Sequence, residues 1–197
     1  MAKTAKIYLA SSSKRRTELL EQIGLRHIVL SFTVDETRLQ QESPAELVKR
    51  LALLKAMTGL EHEKRVKKIP VLGADTLVLI HDVILGKPKD AAEAEQMLEM
   101  LSARSHLVLS AVAVVTPEQQ RVAITTSQVT LRRLSSADIK AYLDLDEYQG
   151  KAGAYGVQGI AATFISRISG SYSGIMGLPL YETSQLLRHF EIDILHP

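Results

Sequence analysis

Residues 9–20 read LASSSKRRTELL, and this stretch carries the clearest structural pattern in the chain. It continues a short apolar run over residues 7–10, which predicts a buried strand. Three serines and two adjacent arginines come next, followed by helical spacing over residues 15–23 and by Gly24 as a C-terminal stop. A buried strand that passes through a short polar loop into a helix is typical of an α/β protein.

The polar loop between the predicted strand and helix is a candidate anion site. A helix N-terminus offers unpaired backbone N–H groups and the positive end of the helix dipole. Ser11 and Ser13 add hydroxyl donors to it. Arg15 and Arg16 add forked cationic donors that suit phosphate oxygens. Local chemistry leaves two interpretations open here: a phosphate cradle, or a serine-capped helix with two solvated arginines.

Composition excludes several classes of protein. The chain has 197 residues with 24 Lys+Arg against 22 Asp+Glu, and a net charge of +2 is too balanced for coating nucleic acid or a membrane through bulk charge. It has no cysteine, which excludes disulfides, thiolate metal sites and cysteine nucleophiles. No apolar run resembles a signal peptide or approaches the ~20 residues of a membrane span. We therefore expect a cytoplasmic protein without nucleic-acid or membrane partners.

Strand and helix patterns alternate along the rest of the chain. Apolar and β-rich stretches predict strands at residues 27–32, 71–80, 83–85, 107–115, 121–131 and 164–168, with 83–85 as a candidate hairpin partner of 71–80. Helices are predicted after a capping box at Ser43, after the cap Asp90, and at residues 137–143 and 178–190. The helix after Asp90 is predicted to turn four side chains inward: Ala94, Met97, Leu98 and Leu101. The buried face of the helix after Ser43 is predicted to carry Leu47, Leu51, Leu54 and Met57. This alternation predicts one α/β domain with helices packed on a long mixed sheet.

Two acidic residues follow predicted strands. Asp75 lies in the sequence GADT, which we expect to form a small-residue turn that lifts the carboxylate to the rim of the sheet. Such a carboxylate can accept a proton from water or bind a magnesium-type ion, and Glu36 is a candidate second carboxylate. Asp35 is interpreted as a solvated turn residue. On the residues alone, a plain turn-forming or capping role is the more common one for an aspartate after a strand, and it stays open for Asp75.

Basic and glycine-rich segments give weaker patterns. Lys55 and Lys87 are interpretable as solvated lysines or as anion ligands, and the basic run at residues 64–68 as a solvated connector. Glycines recur every three residues over 150–159, which is typical of a turn-rich loop or of a backbone that approaches a ligand closely. In the second interpretation the carboxamide of Gln158 could match the carbonyl and N3–H of a pyrimidine.

Several motifs, in order, resemble the Maf family of nucleotide pyrophosphatases, which are related in fold to the inosine-triphosphatase-like enzymes. The family pattern LASxSPRRxELL is matched at residues 9–20, with Lys14 where the family usually has proline. Further matches are VDE at 34–36, LALLKA at 51–56, GADT at 73–76, GKP at 86–88, KAGAYGVQG at 151–159, and GSY and GLPL near Gly170 and Gly177. The departure at Lys14 removes a turn constraint and no functional group.

The resemblance implies a fold and a chemistry. The fold is a long mixed, largely antiparallel sheet flanked by helices, with a cleft between two lobes, in a single domain over residues 1–197 that forms a homodimer. The reaction is hydrolysis of a nucleoside triphosphate between its α- and β-phosphates. Asp75 would be the catalytic acid–base residue and would share a divalent cation (Mg, Mn or Co) with Glu36. The implied phosphate ligands are Ser11, Ser13, Arg15, Arg16, Lys55 and Lys87.

Within the family, three positions are similar to the group that prefers dTTP and UTP. They are Arg15, Thr76 and Gln158. The sibling group that acts on 7-methyl-GTP typically has Trp, Gln and Glu there. The resemblance thus implies that surplus or modified pyrimidine nucleotides are removed, with a link to septum formation. Two alternatives remain: the same chemistry on another nucleotide, or a nucleotide-binding regulator of cell division with little catalysis.

Overall fold

In a computed structural model the protein is described at residues 6–63 and 68–195, so most of the predicted basic connector, residues 64–67, lies outside the described part. The strands are β1 (Ile7–Ala10), β2 (His27–Leu30), β3 (Val71–Ile80), β4 (Val83–Leu85), β5 (Ser105–Val115), β6 (Gln120–Leu131) and β7 (Ile165–Ser169). The helices are α1 (Lys14–Gln22), α2 (Pro44–Leu60), α3 (Ala91–Leu101), α4 (Ser136–Leu143), α5 (Tyr172–Met176) and α6 (Leu180–His189).

The strands form one seven-stranded sheet. Its order is β2-β1-β3-β5-β6-β7, and β4 pairs with β3 off this path. Strand β1 pairs parallel with β2 and β3, whereas β3 with β4 and β6 with β7 pair antiparallel. The sheet is mixed and mostly antiparallel with flanking helices, which confirms the predicted fold class. Among the described residues, no helix combines the length and apolarity needed to cross a membrane.

Most of the helix starts were predicted correctly from their capping residues. The Ser43 side chain accepts from the backbone N–H of Glu46, and Glu46 returns a bond to Ser43, which completes the predicted capping box. Asp90 accepts from the backbone N–H of Glu93 at 2.8 Å and starts α3. Helix α3 buries the four side chains predicted for it: Ala94, Met97, Leu98 and Leu101. Helix α5 was missed because a five-residue helix is too short to show a period.

The buried face of α2 differs from the prediction. Leu47 and Leu51 are buried, Leu54 is half-buried, and Met57 is 37% exposed. The small residues Ala52, Ala56 and Gly59 are buried instead. The reason is a close helix–strand approach: a Cβ built on Gly73 of β3 would lie 2.5 Å from the backbone nitrogen of Ala56. Helical residues with small side chains therefore face the sheet, and the larger Met57 faces outward.

The position of Asp75 also differs from the prediction. It lies in the middle of the ten-residue strand β3, not in a turn at the end of a strand. Apolar, β-favouring residues continue after it through Ile80, so the strand does not end at the small residues Gly73 and Ala74. The carboxylate is consequently buried, with 6% of the residue exposed.

The chain divides into two compact units. The first comprises Met1–Asp75, Ser110–Thr125 and Gly177–Pro197, and the second comprises Thr76–Leu109 and Thr126–Met176. Fully buried side chains of the first unit include Ile7, Leu9, Leu19, Leu20, Leu72 and Leu187. The core of the second unit is built around α3 and the segment that follows α4, and its larger members include Leu98, Leu101, Leu131, Tyr142, Tyr155 and Phe164.

His106 is a buried polar residue in the second unit. It is 2% exposed, and its Nε2 lies 2.7 Å from the hydroxyl of Tyr155. Its Nδ1 is buried and has no hydrogen-bond partner in the described part of the chain. Burial lowers the pKa of His106 to about 4. The imidazole is therefore neutral in the folded protein at neutral pH.

This burial predicts an acid-sensitive contribution to stability. Between pH 6.5, the ordinary value, and about 4, the unfolded chain takes up a proton at His106 that the folded chain does not. The free energy of unfolding should therefore decrease as the pH is lowered through that window, by on the order of 3 kcal/mol in total. In denaturant titrations, the free energy of unfolding of His106→Phe should depend less on pH than that of the wild type. The exposed-histidine control His81→Asn should keep the wild-type slope; parallel curves for wild type and His106→Phe would contradict the assignment.

Candidate active site

The loop between β1 and α1 contains the predicted serines Ser11 and Ser13, which are both half-buried. Helix α1 begins at Lys14, so the lysine occupies the first helical position, which proline also favours. Ser13 occupies the N-cap position, but its side chain makes no capping hydrogen bond. The interpretation as a simple serine-capped helix is therefore wrong, because the hydroxyl is not used by the helix.

Arg16 ties this loop to a distant part of the first unit. Its Nε donates to the carbonyl oxygen of Gly177 at 2.8 Å, and its Nη1 donates to Oγ of Ser11 at 3.0 Å. The backbone N–H of Ser13 also donates to Oγ of Ser11, at 3.2 Å. Burial lowers the pKa of Arg16, an effect that the nearby Asp75 opposes. Arg16 thus holds the loop in place, a role that the sequence did not reveal.

Arg15 has a different environment from its neighbour. It is half-buried and has no hydrogen-bond partner among the described residues. Burial lowers the pKa of Arg15, and Glu18 opposes that shift. Its forked donors are therefore available to an incoming anion, whereas two of the Arg16 nitrogens are already bonded within the protein.

A lysine joins the two candidate carboxylates. Nζ of Lys55, on α2, lies 2.7 Å from Oδ1 of Asp75 on β3 and 2.6 Å from Oε1 of Glu36. The Lys55 and Asp75 side chains are 14% and 9% exposed, while that of Glu36 is 54% exposed. The structure therefore brings these three predicted residues together at one point of the first unit, with one carboxylate buried and the other open to solvent.

Gly73 makes the Lys55–Asp75 contact possible. Residues 73 and 75 point to the same face of β3, because side chains alternate along a strand. A Cβ on Gly73 would overlap the backbone of Ala52 and Ala56, one helical turn that includes Lys55. With no side chain at 73, the helix approaches closely enough for the short Asp75 side chain to meet the lysine.

Opposing effects act on the ionisation of Asp75. Burial raises its pKa, while Lys55 and Arg16 lower it by favouring the charged form, and Glu36 raises it slightly. The result is a raised pKa. A carboxylate held in this way is a stronger base than an exposed aspartate and is positioned by a hydrogen-bonded cation.

The loop that carries Glu36 is anchored by Arg50 of α2. Arg50 Nη2 donates to the carbonyl oxygen of Thr37 at 2.9 Å, and Arg50 Nε lies 2.6 Å from Oε1 of Glu42. Hydrogen bonding to Arg50 holds the pKa of Glu42 below its usual range. Asp35 accepts from the backbone N–H of Thr37 at 2.9 Å, which confirms it as a turn residue. The Arg50–Glu42 anchor was not predicted, since it depends on the path of the loop.

The remaining predicted residues belong to the second unit. Thr76 is half-buried on β3, while Lys87 and Gln158 are exposed. Lys87 follows Gly86, whose carbonyl oxygen accepts from the backbone N–H of Gly153 at 3.0 Å. This bond joins the lysine loop to the glycine-rich segment within the same unit.

The glycines of that segment have an internal explanation. Gly153 has a φ of +68°, and a Cβ there would lie 3.0 Å from Val78. A Cβ on Gly156 would meet the Lys151 side chain, and one on Gly159 would overlap the Glu147 carboxylate. Packing against protein side chains therefore accounts for the lack of a Cβ at these three positions.

Metal-binding capacity is limited to small donor sets. No group of three or more histidine, aspartate or glutamate residues within 6–63 and 68–195 is arranged to hold a metal ion. The carboxylates of Glu36 and Asp75 nevertheless converge on one positive charge, the Lys55 ammonium. Hard oxygen donors in this number are what Mg²⁺ uses when phosphates of a substrate complete its coordination.

Lysine and arginine side chains beside a helix N-terminus can stabilise the negative charge of a phosphate group. Comparison with known families identifies the class: the family model described as Maf-like protein matches residues 6–190. The chain belongs to the Maf-like protein family, which confirms the resemblance seen in the sequence motifs.

Individual relatives are similar over nearly the whole chain. A protein of Nitrosospira multiformis named dTTP/UTP pyrophosphatase is 50% identical over 199 residues, covering 96% of each chain. Proteins with the same name are 46% identical in Aliivibrio fischeri, covering 94% of this chain and 98% of the relative, and in Nitrosomonas europaea, covering 95% and 96%. The solved Ham1 protein of Staphylococcus aureus has a TM-score of 0.43 and 16% identity, covering 64% of this chain and 71% of its own.

Proposed function

We propose that this protein hydrolyses dTTP and UTP to the nucleoside monophosphate and pyrophosphate. The observation that carries the proposal is the buried Asp75 held 2.7 Å from Lys55, with the charge of Arg16 near enough to affect its ionisation. The name shared by relatives that are 46–50% identical supports the substrate assignment.

The residues of the first unit divide the chemistry among them. Asp75 accepts a proton from water, whose oxygen attacks the α-phosphorus; the bond from that phosphorus to the bridging oxygen breaks, and pyrophosphate leaves with the oxygen. Lys55 uses two N–H donors on Asp75 and Glu36, which leaves its third for a phosphate oxygen. Ser11, Ser13, Arg15 and Arg16 stabilise the negative charge of the phosphates.

A divalent cation fits the same carboxylates. Glu36 and Asp75 would hold Mg²⁺, Mn²⁺ or Co²⁺ together with the phosphates of the substrate. When bound, such an ion neutralises charge on the phosphate oxygens. Lys55, which lies between the carboxylates, would then turn its ammonium toward the phosphates.

The second unit supplies the residues assigned to the rest of the substrate. Lys87 would bind the triphosphate, and Thr76 and Gln158 would select the base, as the family resemblance implies. Three strands, β3, β5 and β6, each contribute residues to both units. We therefore treat residues 1–197 as a single pyrophosphatase domain. We also propose that it works as a homodimer in the cytoplasm, where nucleoside triphosphates accumulate, and that any role in septum formation follows from this activity.

Gln158→Ala should relax base preference more than it slows hydrolysis. A lost hydrogen-bonding pair on thymine should lower the ratio of kcat/KM for dTTP to that for dCTP by about tenfold, with kcat for dTTP changed less. The control Gln149→Ala removes an exposed glutamine from the same stretch and should leave the ratio unchanged. If Gln158→Ala keeps the wild-type ratio, Gln158 does not read the base.

A nucleotide panel tests the proposed activity itself. Pyrophosphate release should be measured with dTTP, UTP, dCTP, ATP and 7-methyl-GTP, each with Mg²⁺, Mn²⁺ and Co²⁺. We expect dTTP and UTP to be the preferred substrates. Background release from every nucleotide would favour a binding protein without catalysis, and a preference for 7-methyl-GTP would overturn the base assignment.

A further inference from the structure

Glu147 holds the segment that carries Gln158. Its Oε2 accepts from the backbone N–H of Ile160 at 2.8 Å, and its Oε1 lies 3.5 Å from the backbone nitrogen of Ala161. The hydroxyl of Tyr142 donates to Oε1 at 3.3 Å. These backbone N–H groups open the short 3-10 helix Ile160–Phe164. The carboxylate therefore caps the turn that begins two residues after Gln158.

Glu147 and its neighbour Lys151 also explain why glycine occupies the positions around Gln158. The Glu147 carboxylate fills the space that a Cβ of Gly159 would occupy. The Lys151 side chain lies where a Cβ of Gly156 would be, and its Nζ donates to the carbonyl oxygen of Glu147. The backbone N–H of Gly159 donates to the carbonyl oxygen of Gly156 at 3.2 Å, which closes the turn. The two glycines of this turn thus leave room for side chains: Gly156 for Lys151 and Gly159 for Glu147.

Gln158 is the exposed residue between two fixed points. Val157, on one side, is buried with 7% exposure. On the other side, the backbone at Ile160 is bonded to Glu147. Only Gly159 separates Gln158 from the bonded backbone of Ile160, so release of the Ile160 bond would let the turn rotate and would move Gln158 with it.

We propose that Glu147 is a specificity-positioning residue, which orients Gln158 for base recognition through its bond to the Ile160 backbone. This inference rests on the proposed function, since it requires Gln158 to read the base. It assigns Glu147 no contact with substrate. Its removal should change which base is preferred, and should change turnover of dTTP much less.

The experiment is a double-mutant cycle on the dTTP-to-dCTP ratio of kcat/KM in the full-length protein. Glu147→Ala should lower the ratio about fivefold to tenfold. In the Gln158→Ala background the same change should alter the ratio less than about twofold, because Glu147 affects base preference only by orienting Gln158. Glu147→Gln keeps a carbonyl acceptor for the Ile160 N–H and should restore most of the ratio. The control Asp144→Ala removes an exposed carboxylate paired with Lys140 and should have no effect.

The outcomes separate the two proposals. If Gln158→Ala changes the ratio and Glu147→Ala does not, the positioning role is overturned and the proposed function stands. If Glu147→Ala changes the ratio equally in the wild type and in the Gln158→Ala background, Glu147 does not act through Gln158, and the positioning role is again overturned. If Gln158→Ala has no effect in the wild type, the base assignment fails and the inference fails with it. Should Glu147→Ala not fold, Gly159→Ala, whose Cβ displaces the carboxylate, replaces it in the cycle with the same expectations.

Discussion

Replacing Asp75 with asparagine is expected to lower kcat for dTTP by about 10²–10⁴-fold. Asparagine has the same size and can still accept a hydrogen bond from Lys55, which lies 2.7 Å from the aspartate oxygen. It cannot accept a proton from water at neutral pH. Binding of a nonhydrolysable dTTP analogue with a methylene bridge between the α- and β-phosphates should stay within a few-fold of wild type, as measured by calorimetry.

The neighbouring carboxylate Asp35 provides the matched control. It is exposed, and its contact is a turn bond to the backbone N–H of Thr37 that asparagine can also make. Asp35→Asn should therefore keep full turnover. An Asp75→Asn variant that retains more than a tenth of the wild-type kcat would remove Asp75 from the role of base.

Replacing Gly73 with alanine is expected to damage both the fold and the site. The added Cβ would lie 2.5 Å from the backbone nitrogen of Ala56 and closer still to the carbonyl oxygen of Ala52. Backbone atoms of a helix cannot turn aside as the end of a side chain can, so α2 must move. We expect a loss of about 3 kcal/mol or more in the free energy of unfolding. Displacement of Lys55 with the helix should also reduce kcat.

Denaturant unfolding and pyrophosphate release measure the two consequences separately. Gly86→Ala is the stability control, because a Cβ there meets no atom within 4 Å. It should change the free energy of unfolding by less than about 0.5 kcal/mol. A Gly73→Ala protein as stable as Gly86→Ala would show that the strand and α2 do not need their close approach.

Local chemistry accounts for what could be predicted of the fold. The capping box at Ser43, the Asp90 cap and the hairpin of β3 with β4 follow from residues within a few positions of one another, and all were predicted correctly. The inward-facing residues of α2 were predicted in part, because Met57 obeys helical spacing but the close approach at Gly73 selects small residues. That approach joins residues far apart in sequence, which a periodic pattern does not report.

The candidate site was predictable only in part for the same reason. The serine–arginine loop is a local pattern, and the Arg15 side chain keeps its donors free of hydrogen bonds within the described part of the chain. The Lys55–Asp75–Glu36 cluster joins a helix, a strand and a loop. The residues alone suggested the two carboxylates as a pair, whereas only the family resemblance assigned Lys55 to the site. The glycine-rich segment showed its period in the sequence, but its cause, the packing of Glu147 and Lys151, required coordinates.

The most direct test of the central claim is to follow dTTP hydrolysis by phosphorus-31 NMR with purified protein and Mg²⁺. Attack of water at the α-phosphorus predicts that dTMP and pyrophosphate appear in equal amounts as dTTP disappears, and that Asp75→Asn slows the appearance of both by about 10²-fold or more. Appearance of dTDP with inorganic phosphate, or a dTTP spectrum that does not change with time, would contradict the account.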